Sequence, residues 1–397
     1  MKKFAEKIVE GLLKLSGALS SLTIMLIVVF LFKEGSGLFS KSTVEDGYQL
    51  LVNKSNTVTK LNAAEIKSIY DAEITDWKEF GSNSGEIMTM RIDDILDAFS
   101  EVELGADYEF LPEKIAEAVS ENPNILICVP TQYIPKMGDC KVVETGTIGI
   151  GDFFGGHDWF PTASPAPLFG TLPLLFGTLL VSLMAILIAT PIGVAVAIYL
   201  AELASPTMHR IVKPVIELLS GIPSIVYGFF GLVVIVPLIQ QLFGLPVGET
   251  GLAGAIVLAI MTLPTIITVG EDAIRSTPKA MKEAALGLGA NHWQTIYKVI
   301  LPYSVSGLAA AVVLGIGRAV GETMAVLMVT GNAAVITGNL LEPCRTIPAT
   351  IAAELGETSA GSAHYQSLFL LGCILFIITL AISITAEYIT SKQIKGR

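Results

Sequence analysis

An arginine and a glutamate four residues apart, Arg318 and Glu322, stand in the run Gly317-Arg318-Ala319-Val320-Gly321-Glu322-Thr323-Met324, within an apolar stretch read as a membrane span over about 305–329. Near the middle of such a span an arginine costs roughly 2.5 to 3.5 kcal/mol on insertion scales, so it must face a partner or an aqueous path. The spacing puts Glu322 on the same helix face. Either the two charges neutralise one another or they line a route for a solute, and Gly317 and Gly321 keep that face narrow enough for one to pass. A guanidinium presents forked donors that match an oxyanion. Arg318, Glu322 and Thr323 are therefore the expected pathway residues. Other chemistries lack their residues: there is no G-x-x-x-x-G-K-[ST] phosphate loop and no H-E-x-x-H, and the four His and four Cys are scattered. No catalytic group, cofactor or metal is expected on this chain, and any nucleotide must be bound by another.

A second constellation is mechanical. Glu283-Ala284-Ala285, then Gly289, then Val299-Ile300-Leu301-Pro302 form a polar helix and turn between two apolar runs. Thr277 before Pro278 reads as a helix cap with proline in the first turn. Lys279, Lys282 and Glu283 then lie on an alanine-rich helix that Gly287 or Gly289 ends. Such a helix offers methyls and charges to a partner and no reactive group. The spacing resembles the EAA loop of ABC-importer permeases, E-A-A, three residues, G, nine residues, I, one residue, L-P, with Val299 in place of the Ile. The resemblance implies that Glu283, Ala284, Ala285, Gly289, Leu301 and Pro302 couple the chain to an ATPase.

The elements that must hold these residues are membrane spans. Of 397 residues 52% are hydrophobic and 15% charged, and mean hydropathy is +0.65, outside the range of soluble domains. Apolar runs near 16–33, 172–200, 215–243, 252–270, 305–329 and 366–390 are each long enough to cross a hydrocarbon core of about 30 Å. Lys2, Lys3, Lys7 and Lys14, then Arg210 and Lys213, then Arg275, Lys279, Lys282 and Lys298, then Lys392, Lys395 and Arg397 all fall on one side of those spans. The positive-inside rule makes that side cytoplasmic, both termini included. On the other side the spans' loops carry only Arg345. The first run follows Met1-Lys2-Lys3 like a signal peptide, but no small-x-small site follows Phe32, which favours an uncleaved anchor over residues 1–34.

Residues 35–165 interrupt this pattern with an acidic, extracytoplasmic insert. Between 35 and 160 there are 22 Asp and Glu against 9 Lys and Arg, so the rest of the chain is slightly basic. Tyr48–Val52, Glu86–Ile92 and Ile125–Val129 read as strands, and Ala63–Tyr70, Asp93–Val102 and Pro112–Ser120 as helices, an α/β module large enough to fold alone. Val52-Asn53-Lys54-Ser55-Asn56 and Ile74-Thr75-Asp76-Trp77 resemble part of the periplasmic phosphate-binding proteins. Where those proteins carry a Ser-Gly-Thr loop at a helix start, this chain has Ile92-Asp93-Asp94-Ile95 after Arg91. Two aspartates there cap the helix and repel anions, so the insert reads as a degenerate lobe that no longer binds phosphate. Cys128 and Cys140 either pair or remain reduced.

Beyond the EAA loop, Gly317 to Asn332, Gly221-Ile222-Pro223-Ser224, Leu263-Pro264-Thr265 with Glu271-Asp272, and Glu354-Leu355-Gly356-Glu357 resemble the phosphate ABC-importer permeases of the Pst system, PstC-like rather than PstA-like. That resemblance implies an all-α polytopic MetI-like permease fold of six transmembrane helices, the α/β insert lying between helices 1 and 2. The core would cover 166–397 with its coupling loop at about 276–302. It implies a bacterial or archaeal plasma membrane and, as partners, a PstA-like permease, a PstB-like ATPase dimer, a PstS-like phosphate-binding protein, inorganic phosphate and the lipid bilayer, with no nucleic acid. Glu322 then acts as a discriminator: phosphate near neutral pH keeps a P–O–H donor for it to accept, and sulfate has none. A PstA-like identity or another oxyanion is the nearest alternative. A proton-coupled carrier would show inverted repeats, and a membrane sensor would not need the EAA spacing.

Overall fold

The computed structural model describes residues 2–82, 85–105, 107–136 and 138–395. The basic residues named above at the ends, Lys2 to Lys7 and Lys392 to Arg397, lie outside those whose side chains are described, as does Val102. Two compact units emerge, Met1–Thr171 with Thr358–Ser367, and Leu172–Glu357 with Leu368–Arg397.

The first unit opens with helix α1, Lys2–Ser36, whose large apolar side chains from Leu12 to Phe30, Val28 apart, are about half exposed or more, as suits a helix meant for lipid. An α/β module follows. Strands β1 (Tyr48–Asn53), β2 (Met88–Arg91), β3 (Ile125–Pro130) and β4 (Cys140–Val142) form one sheet in the order β2-β3-β1-β4. β2 runs parallel to β3, while β1 is antiparallel to both β3 and β4. Alternation along the strands splits the core into two layers. Leu50, Val52, Leu126 and Cys128 pack with Ile66 and Ile69 of helix α2 (Ala63–Tyr70) and with Trp77. Leu51, Ile125, Ile127 and Val129 pack on the other face with Ile95 of α3 (Ile92–Ala98) and Leu111, Ile115 and Val119 of α4 (Leu111–Glu121). A capping box starts α2: Glu65 N donates to Asn62 Oδ1 and Asn62 N to Glu65 Oε2.

The helix expected over Asp93–Val102 stops at Ala98, and Glu101–Leu104 forms a separate turn. At the start of α3, Arg91 N donates to Asp94 Oδ2 at 2.6 Å. The helix thus supplies its own carboxylate to its first backbone amide. Cys128 and Cys140 are both free. They stand opposite Leu50 and Asn53 on strands that flank β1 on either side, so the intervening strand keeps them apart. Burial pushes the Cys128 thiol up to about 12.

The second unit is helical. Its elements are α5 (Leu172–Ile198), α6 (Pro206–Ser220), α7 (Ser224–Phe230), α8 (Val236–Phe243), α9 (Gly251–Arg275), α10 (Lys279–Gly287), α11 (His292–Thr295), α12 (Leu301–Val320), α13 (Met324–Val329), α14 (Ile347–Glu354) and α15 (Ala363–Lys395), the last beginning in the first unit. α9 is the central helix, packing small residues against α5 and α12: Gly193 and Gly315 each sit against Ile266, where a side chain would collide. Among the described residues six helices are long and apolar enough to cross a membrane: Glu10–Ser40, Leu172–Leu203, Ser224–Phe243, Gly251–Arg275, His292–Val320 and Ala363–Thr385.

Two spans differ from their sequence reading. The run expected over 215–243 is two elements, because Gly221-Ile222-Pro223 breaks the chain: Pro223 has no N–H to continue a helix and holds Ile222 out of helical geometry. The preceding helix α6 is amphipathic and ends at Ser220. The span expected over 305–329 begins at His292 and ends at Val320, with Met324–Val329 a separate short helix.

Candidate functional site

That second break governs the site. α12 closes with Gly321 N donating to Gly317 O and Glu322 N to Ala319 O, and Thr323 leaves helical geometry at φ −114°, ψ −66°. Arg318 therefore occupies the last turn of α12 and not mid-span, and Glu322 lies beyond the helix end, so the two do not share a helix face. The ion pair considered between them is not formed. Arg318 instead donates from Nη1 to Thr265 Oγ1 at 3.3 Å, on the residue directly after Pro264 of α9. Its guanidinium is half-buried and held by one neutral hydroxyl.

The three residues expected together do converge on one turn, but they face different ways. Glu322 lines a small cavity of about 10 Å³ with Thr178, Ser182, Ala319 and Thr346, and its Oε1 lies 3.5 Å from Ala325 N. Thr323 borders an open groove of about 440 Å³ against Pro348, Ile351, Leu355 and Leu375. The arginine faces α9.

The segment with EAA spacing forms an exposed helix and a tight turn. α10 carries Glu283, Ala284 and Ala285 and has no buried residue; Leu288, just past its end, is 90% exposed. Gly289 at φ +87° lets the chain turn back, with Gly289 N on Leu286 O and Ala290 N on Ala285 O, so Gly289 rather than Gly287 ends the helix. Asn291 and Gln294 then form a capping box for α11. Leu301 packs beside Ile274, Ile296 and Ile300, and Pro302 opens the second position of α12, where its missing N–H costs nothing. Thr277 is not the expected cap: it is buried with its hydroxyl unpartnered, and Pro278 takes the cap position with extended ψ. An N-cap side chain must reach back to the first-turn amides, and Thr277 lies one residue too early.

A charge hub beside this loop was not read from sequence. Glu271, 2% exposed near the end of α9, accepts from His209 Nε2 at 2.8 Å and Lys213 Nζ at 2.9 Å, both on α6, and from Arg275 Nε at 2.9 Å. Arg275 also donates to Leu200 O in the π-helical segment Tyr199–Leu203 that continues α5, and Lys282 of α10 pairs with the half-buried Glu202 of the same segment. The helix that would receive a push is thus tied by charge to α5, and α5 to α9 and α6. The signal available was Glu271 four residues before Arg275 at the end of an apolar span.

Comparison with known proteins places the chain in a family. Residues 189–394 match the family described as the binding-protein-dependent transport system inner membrane component. The probable ABC transporter permease YqgH of Bacillus subtilis is 41% identical over 242 residues, 61% of this chain and 78% of that protein. The phosphate transport system permease PstC of Mesorhizobium japonicum is 40% identical over 259 residues, 60% of this chain and 78% of that one. A solved MetNI methionine ABC transporter is 20% identical, covering 56% of this chain and 96% of the other at a TM-score of 0.44. The chain is a multi-pass membrane protein of MetI-like permease fold, and it belongs to the binding-protein-dependent transport system inner membrane component family, as a permease subunit of ABC type.

Proposed function

We propose that this chain is the PstC-like permease subunit of an ATP-driven phosphate importer. The observation that carries this is Arg318: a half-buried guanidinium in the last turn of a membrane span, at a helix break, held by one neutral hydroxyl, with donors left for an oxyanion. The phosphate permease at 40% identity supports the substrate. Arg318 binds the anion in passing, and movement at the break at Gly321 turns Glu322 and Thr323, which face away from Arg318 here, to accept its P–O–H and offer a hydroxyl.

The partners follow from the same reading: a PstA-like permease completes the pathway, a PstB-like ATPase dimer takes α10, and a PstS-like protein delivers phosphate from outside. Both termini and the EAA loop face the cytoplasm, and residues 35–165 form an extracytoplasmic lobe, between an anchor over 1–34 and a core over 166–397, that covers the entrance or meets the binding protein. ATP-driven closure of the ATPases displaces α10 through Glu283, Ala284 and Ala285, with Gly289, Leu301 and Pro302 keeping the lever in register. Lys282–Glu202 and the Glu271 hub carry that displacement into α5, α6 and α9, and the break at Gly321 opens or closes around the anion.

The test is uptake of labelled phosphate into vesicles holding the chain with its partners, with and without internal ATP. Uptake that requires ATP and is lost in Arg318→Ala supports the reading. ATP-independent uptake makes the chain a secondary carrier, and uptake unchanged in the variant reduces Arg318 to packing.

A further inference from the structure

Resting on the phosphate-importer reading, a second cation in the core calls for a role. The loops on the side of the core opposite the EAA helix, 244–250 and 321–362, contain five carboxylates, Glu249, Glu322, Glu342, Glu354 and Glu357, and one basic residue, Arg345. Along these two segments this guanidinium is the one positive charge offered to an anion entering from that side.

Arg345 is held in place by its backbone. Cys344 N donates to Thr330 O at 2.9 Å and Ile347 N to Thr178 Oγ1 at 2.9 Å, and the Arg345 main chain lies so close to Gly177 of α5 that any side chain there would collide. The next residue, Thr346, caps α14 and lines the same small cavity as Glu322. The guanidinium is thus anchored one residue from the wall that Glu322 faces.

Its hydrogen bonding is incomplete. Nη2 donates to Glu354 Oε1 at 2.7 Å, while Nε is buried with no partner. Nε and Nη2 together form the edge of the guanidinium that takes two oxygens of one oxyanion side by side. The carboxylate fills one of the two positions and leaves the other unmade, an arrangement that buried donors rarely tolerate without a functional reason.

We propose that Arg345 is an outer anion station of the permease: a tetrahedral oxyanion displaces Glu354, takes both Nε and Nη2, and passes from there to Arg318. Glu354 balances the guanidinium between turnovers, so that the anion is held briefly and released.

The competing role is a staple, with the ion pair merely fastening the two ends of α14. Breaking the pair from either side separates the two. The complex is reconstituted in liposomes with ATP inside and phosphate-loaded binding protein outside, and initial uptake and ATP hydrolysis are measured for wild type, Arg345→Gln, Arg345→Lys and Glu354→Gln. The station requires uptake to fall at least tenfold in Arg345→Gln while binding-protein-stimulated ATP hydrolysis persists, to fall less in Arg345→Lys, and to stay above half in Glu354→Gln. Equal losses in Arg345→Gln and Glu354→Gln overturn it, as does wild-type uptake in Arg345→Gln. If Arg345→Gln does not assemble, Glu354→Gln decides: collapse of its uptake identifies a staple, and retention identifies the station. A wild-type complex without ATP-dependent phosphate uptake defeats the parent reading instead.

Discussion

Glu271 and Arg318 are both charges placed within membrane helices, and they are treated in opposite ways. Glu271 is 2% exposed and bonded to two cations, Lys213 and Arg275, and to the His209 ring, each within 2.9 Å. Arg318 is half-buried, has one neutral hydroxyl at 3.3 Å, and forms no ion pair among the described residues. Desolvating a charge is costly unless partners replace the lost water. A saturated charge is therefore a joint, whereas an undersaturated one is open to a ligand that completes it. Helix α10, the proposed lever, is fastened by an ion pair of its own, Lys282 with Glu202, and the proposed substrate meets the second kind.

The sharpest way to break that contrast is to remove the joint. Glu271→Ala leaves Lys213 and Arg275 facing one another without a counter-charge, and truncating one member of a buried ionic set costs about 3–5 kcal/mol. The purified chain is expected to melt well below wild type or to fail to assemble, a loss read by thermal unfolding in detergent. A melting point within a degree or two of wild type would show that the hub carries no structural load.

Next in size is the undersaturated charge. Arg318→Ala removes donors to a charged ligand, each worth roughly 1.5–3 kcal/mol, so uptake should fall about ten- to a hundredfold while the melting point hardly moves. Large destabilisation with little change in uptake per assembled complex would exchange the two assignments.

A smaller effect isolates the lever while leaving both charges intact. Gly289 sits at φ +87° with nothing near the position of an added Cβ, so Gly289→Ala suffers only backbone strain, roughly 1–2 kcal/mol. It should fray the end of α10 and lower the uptake obtained per ATP hydrolysed. Unchanged coupling would mean that the end of α10 need not be rigid.

How far these two sites could be read in advance differs for a physical reason. Local patterns were legible: the EAA spacing, the turn at Gly289, and the period-two alternation of Leu50 to Val52 and Ile125 to Val129 all report neighbours along the chain. The hub was not, since His209 and Lys213 lie 62 and 58 residues from Glu271 and only packing brings them together. The break at Gly321 was missed because apolar Met324 to Val329 continue the span's composition, and Gly-Glu-Thr lacks the proline that marks the break before Ser224. β4 escaped because three residues at a sheet edge, with Lys141 in the middle, show no alternation.

The mildest test sharpens what completes Arg318. If the ligand is phosphate, Glu322 accepts its P–O–H, and a fully ionised competitor is repelled by the same carboxylate. Two unit charges about 4 Å apart in water-like surroundings interact by ~1 kcal/mol, roughly a factor of five. Glu322→Gln removes that repulsion without changing shape, so sulfate should inhibit phosphate uptake about fivefold more strongly than in wild type. Glu322 is not paired with Arg318 and faces the small cavity beside Thr178, Ser182 and Thr346, so the substitution should leave the Arg318–Thr265 contact intact. A variant that transports and rejects sulfate as well as wild type would move discrimination away from this carboxylate and leave the guanidinium to act alone.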